Sequence, residues 1–117
     1  FILLSALLLA SPAFAQSMDH TMHHVKGNDV SAKASTADFE KAMATMHKDM
    51  SITYTGDTDA DFVRGMIPHH EGAIAMAKIQ LHYGKDPELR KMSREIIKAQ
   101  EEEIKEMKRW LRNHDGK

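Results

Sequence analysis

The sequence predicts an all-α fold: a small antiparallel helical bundle of three main helices behind a flexible N-terminal arm. Three observations carry that prediction. Apolar residues from Phe39 to Leu111 recur every three or four positions instead of alternating. Two turn signals, "TGDTD" and "YGKDP", cut that stretch into three. β-branched runs are few, and there are only three prolines to break helices.

Residues 1–15, "FILLSALLLASPAFA", form an uncharged apolar run ending in Ala13-Phe14-Ala15, the small-x-small pattern that signal peptidase cleaves after. The run is shorter than the ~20 apolar residues a membrane span needs, and polar residues follow at once. Neither an initiator methionine nor a basic region precedes it. The expectation is therefore a secretory signal truncated at its start, cleavage after Ala15, a periplasmic location and a mature chain without a membrane span. Retention of the run as an anchor is the alternative.

Residues 16–35, "QSMDHTMHHVKGNDVSAKAS", are polar and lack both helical and strand periodicity, which reads as the flexible arm. Residues 36–117 carry the helical domain. Its first helix is expected from an N-cap at Thr36 to about Ile52, with Phe39, Met43, Met46 and Met50 at helical spacing. Gly56 should end that helix, and Asp57 or Asp59 should cap the second, from about Ala60 to His82. Gly84 reads as its stop, Asp86 as the next N-cap and Pro87 as the first residue of the third helix. The third helix should reach about Asn113 along a stripe of Leu89, Met92, Ile96, Gln100, Glu103, Met107 and Trp110, widened by Ile97, Ile104 and Leu111. Glu88 at its start and Lys108, Arg109 and Arg112 near its end match the helix dipole. A core this small is marginal alone, so a homodimer or a bound ligand is expected to help.

Composition narrows the function. A net charge of −1 and the lack of a basic stripe exclude a nucleic-acid partner. Without cysteine there is neither a disulfide framework nor a thiolate metal site. Methionine and histidine remain as soft ligands, and the chain has nine of the first and eight of the second. The arm offers Met18, His20, Met22, His23 and His24.

The helices offer a second set around "GMIPHHEG". At about 100° per residue, Met66, His69, His70, Ala73 and Met76 share an arc of about 120°. Pro68 falls about 160° away, a position read as facing solvent, where its ring would kink the helix at a cost of ~3 kcal/mol or more and re-aim the neighbouring donors. "FEKAMATMH" and "FVRGMIPHH" repeat one pattern, so facing helices could set Met43, Met46, His47 and Met50 against Met66, His69, His70 and Met76. In the third helix Gln100 and Glu103 interrupt the apolar stripe, and a carboxylate there asks for a histidine or a metal.

A methionine stripe at helical spacing is most often plain core, and a lone buried histidine is most often hydrogen-bonded there. Two adjacent histidines beside several methionines fit that account poorly. Thioether with imidazole selects copper, Cu(I) above Cu(II), with Ag(I) as its competitor. Zinc would leave the methionines unexplained. No Glu has a His three residues on, as a di-iron bundle requires, and His70-Glu71 does not continue to a second zincin histidine. No nucleophile set or phosphate loop is evident, so the reading is a binding protein and no enzyme.

"FVRGMIPHHEGAIAMAK" and "DPELRKMSREIIKAQEEEIKEMKRWL" resemble the domain-of-unknown-function family 305. Its most specific pieces here are Met66-x-Pro68-His69-His70, Met43-x-x-Met46-His47-x-x-Met50 and Gln100-x-x-Glu103-Ile104, and the likeness runs from about Phe39 to Leu111. The resemblance implies a ferritin-like fold and kinship with CopM-like periplasmic copper-binding proteins, with the Met and His residues of those motifs as ligands. The function expected from it is buffering or transfer of copper for copper and silver tolerance, with an efflux or chaperone protein as partner. A cuprous oxidase using the same cluster is the alternative.

Overall fold

The structure is a computed structural model that describes residues 30–115. The apolar run of residues 1–15 expected to be a signal, residues 16–29 of the expected arm with Met18, His20, Met22, His23 and His24, and residues 116–117 lie outside the described residues. Three helices follow one another: α1 Val30–Met50, α2 Thr58–Tyr83 and α3 Pro87–Asp115, with no strand among the described residues. None of these helices is long and apolar enough to cross a membrane.

Local chemistry explains most of the boundaries. The Asp57 carboxylate accepts the Ala60 N–H at 3.1 Å and opens α2. Asp86 does the same for Leu89 at 2.9 Å, with Pro87 in the first helical position, where its missing N–H costs nothing. The Gly84 N–H closes α2 on the Gln80 carbonyl at 2.7 Å.

α1 differs from expectation at both ends. It starts at Val30, so residues 30–35, read as arm, are helical. Thr36 is interior to it: its hydroxyl bonds back to the Ala32 carbonyl at 3.0 Å instead of capping a start. The helix ends at Met50, well before Gly56, which sits in the linker at φ +89°, a conformation that favours glycine. The Asp61 carboxylate clamps that linker by accepting the Thr55 N–H at 3.0 Å, the Thr55 hydroxyl at 2.9 Å and the Gly56 N–H at 3.1 Å. The Thr55 amide above all, with its hydroxyl and Gly56, holds the Asp61 carboxyl below the usual carboxylate range. Asp57 is lowered likewise, first by the Ala60 N–H and then by His114.

α2 packs against α1 and against α3, while α1 and α3 do not pack on each other. The helices therefore form an open layer with α2 in the middle. This corrects the reading of Pro68, which is buried. On a helix with one partner, a residue about 160° from His70 would face water; on α2 that direction faces the other partner. Pro68 lies on the same side as Gly65 and Gly72, where Ile52 of the linker and Met46 of α1 approach. α2 runs unbroken through the proline.

The core is thin. Ala60, Val63, Ile74 and Ala77, all on α2, form the buried hydrophobic core among the described residues, beside the buried Pro68. α1 buries no residue, and Ser93 is the buried residue of α3. Leu89 and Met92, placed by periodicity in the apolar stripe, are 49% and 53% exposed. Val63 and Ile74 at about 1.5–3 kcal/mol each for full burial, beside two alanines, make a weak hydrophobic anchor, so polar links matter here.

Candidate metal centre

Gly72 brings the first candidate ligand into place. It lacks a side chain, and a Cβ there would stand 2.5 Å from Met46 Sδ and 2.8 Å from Met46 Cγ. The half-buried Met46 thioether thus occupies the room left by a glycine that costs α2 about 0.5–1 kcal/mol of helix propensity. Sequence reasoning passed over Gly72. Its signal was available, because a glycine inside a long helix asks for a close approach.

At the linker end Met50 and Met66, both half-buried, line one groove with Tyr54 and Phe62. A second groove touches all three helices, with Phe39 from α1, Met76 and Gln80 from α2 and Ile96 from α3. Met43 and Met76 are 41% and 44% exposed on the open face. His47 and His69 are exposed.

The two histidines of "GMIPHHEG" part company. Their ring centroids lie 6.0 Å apart with planes at 58°, but His69 faces solvent while His70 is 6% exposed. His70 points toward α3, where its Nε2 meets Oε2 of Glu103. The expected confrontation of α1 donors with both histidines is therefore incomplete, since His70 turns away from α1. Glu103 has the histidine partner its position called for, although its side chain is 57% exposed and so is not a buried carboxylate.

Two buried side-chain atoms are without a hydrogen-bond partner among the described residues: His70 Nδ1 and Gln100 Oε1. Nor do three His, Asp or Glu side chains gather closely enough among those residues to hold a metal ion. A three-donor site within these helices has to draw on thioethers, which suits a soft ion.

Polar rungs fix the register of α3 on α2. From the turn outward they are Arg90 to the Leu81 carbonyl at 2.6 Å, the Ser93 hydroxyl to Gln80 Oε1 at 2.8 Å, and His70 with Glu103. Lys108 with Glu71 at 3.6 Å, Arg64 with Asp115 at 2.8 Å and His114 with Asp57 at 2.7 Å complete the ladder. Between α1 and α2 the Tyr83 hydroxyl donates to Asp38 at 2.8 Å, which raises the Tyr83 phenol above its ordinary value.

Comparison with known proteins gives two results. A stretch of 49 residues is 43% identical to the "Uncharacterized protein L153" of Acanthamoeba polyphaga mimivirus. That stretch is 42% of this chain and 32% of the viral protein, so the match spans about a third of that relative's length. The sequence profile of the family described as "Domain of unknown function (DUF305)" matches residues 11–111, which covers α1, α2 and all but the last turn of α3. The chain belongs to the DUF305 family.

Proposed function

We propose that this DUF305 protein is an exported copper carrier, which buffers Cu(I) or hands it on and so contributes to copper and silver tolerance. The observation that carries this reading is the donor set: nine methionines, eight histidines and no cysteine. Met46, Met50 and Met66 lie where α1 meets α2, and an unpartnered imidazole nitrogen lies on the other side of α2. Thioether and neutral imidazole together favour Cu(I), and Ag(I) by the same softness, over zinc. Copper is cargo in this reading, and there is no turnover. The apolar signal-like run supports a periplasmic location. A copper efflux or chaperone protein would receive the ion, and the exposed Phe39, Phe62 and Met76 would suit a second copy of the chain.

Competition against a Cu(I) chelator tests the reading. Cu(I) should bind tightly and in stoichiometric amounts, Ag(I) should displace it, and zinc should not. Equal affinity for zinc and Cu(I) would sink the soft-site assignment. Steady oxygen consumption on addition of Cu(I) would replace the carrier with an oxidase.

A further inference from the structure

His70 and Glu103 raise a question that the donor inventory leaves open: which nitrogen of the ring is free to bind? A carboxylate accepts and cannot donate, so the nitrogen that faces it must carry the proton. In the neutral ring the other nitrogen then holds the lone pair. Here Nε2 faces Glu103 Oε2, and Nδ1 is buried without a partner. Gln100 stands one turn before Glu103 on α3, and its Oε1 is a second buried acceptor without a donor. Buried acceptors of this kind are satisfied by a cation or by a donor molecule.

We infer that Glu103 is a positioning residue: it holds His70 as the Nε2–H tautomer and so makes Nδ1 the atom that takes a soft metal ion. This rests on the copper reading above and adds the donor atom and its orienting partner. The arrangement follows the general design of metal-binding histidines, whose second N–H is fixed by a carboxylate. It also divides labour between adjacent residues. His69 is exposed, whereas His70 is buried with its Nε2 on Glu103 before any ion arrives.

The test uses the full chain labelled with ¹⁵N at histidine, first without metal and then with Ag(I), a closed-shell probe. Long-range ¹H–¹⁵N correlation of the metal-free protein should show His70 protonated at Nε2 and bare at Nδ1. Ag(I) should then move the Nδ1 resonance of His70. In Glu103→Ala the tautomer preference should be lost and Ag(I) affinity should fall by about 10–100-fold. Glu103→Gln, whose amide oxygen still accepts the N–H, should restore the tautomer and much of the affinity. A proton on Nδ1 in the metal-free protein, a silver-induced shift at Nε2, or unchanged affinity in Glu103→Ala overturns the inference. Failure of the wild-type protein to take up Ag(I) sinks the copper reading and the donor role with it. The metal-free tautomer still decides whether Glu103 orients the ring.

Discussion

The two seams on either side of α2 are built from different materials. The seam with α3 is a ladder of polar rungs from Arg90 near the turn to His114 at the far end, with the buried Ser93–Gln80 bond among them. The seam with α1 and the linker that follows it is made by close approach: Met46 against Gly72 and linker residue Ile52 near Gly65, with Tyr83–Asp38 as an exposed tie. Directional bonds specify register, while thioethers fill space and tolerate rearrangement. One face of α2 is thus fixed and the other adaptable. The half-buried thioethers Met46, Met50 and Met66 lie along the adaptable one, whereas His70 sits on the fixed one.

The largest effect should come from emptying the adaptable seam of sulfur. Replacing Met46, Met50 and Met66 together with leucine should weaken Cu(I) binding on the order of 100-fold, at the upper end of the range for disrupted metal sites. The thermal midpoint should move little, because Leu for Met conserves volume. Chelator competition and a melting curve on the same sample decide it; unchanged affinity would remove these methionines from the site.

Two glycines sharpen the contrast in packing. Gly72→Ala must push Met46 aside, and despite better helix propensity it should lose about 1–3 kcal/mol, the usual cost of overpacking. Hydrogen exchange should show the loss in α1 amides, with the α2–α3 pair protected as before. Gly65→Ala meets Ile52 Cδ1 at an ordinary 3.8 Å and should gain about 0.5–1 kcal/mol. A stabilised Gly72→Ala protein would show that the Met46 contact is slack.

On the fixed seam, Ser93→Ala removes the hydroxyl donor to Gln80 and should cost about 0.5–1.5 kcal/mol in denaturant unfolding. An equal or higher midpoint would mean that this rung contributes nothing.

Acid gives the smallest effect. Asp57 and Asp61 have folded pKa values below their unfolded ones, so their contribution is present above about pH 4 and is lost as pH falls through the folded values. The protection of the linker amides at Thr55 and Gly56, taken relative to the intrinsic exchange rate at each pH, should fall below that point, and Asp61→Asn should remove most of the pH dependence. Both carboxylates are solvent-exposed, so salt should blunt the effect.

Local rules were legible in the sequence, and neighbours were not. Asp57, Asp86 and Pro87 were readable because a cap depends on residues two or three positions away. Glu103 stood out in an apolar stripe that asked for a histidine or a metal, and the structure supplies His70. Pro68 was misplaced because periodicity gives angles about one helix and says nothing of how many helices surround it. The same gap hid the separation of His69 from His70. Thr36 looked like a start because cap preference and helix-interior back-bonding call on the same hydroxyl.

The open layer has a chemical consequence under oxidising conditions. Met92, Met76 and Met43 are 53%, 44% and 41% exposed, and peroxide reaches exposed thioethers first. A sulfoxide presents oxygen in place of sulfur and no longer suits a soft ion. Half-buried Met46, seated over Gly72, should be among the later ones to convert. Peroxide would therefore convert the exposed thioethers while half-buried Met46, Met50 and Met66 survive longer, and reduction of the sulfoxides would restore the set.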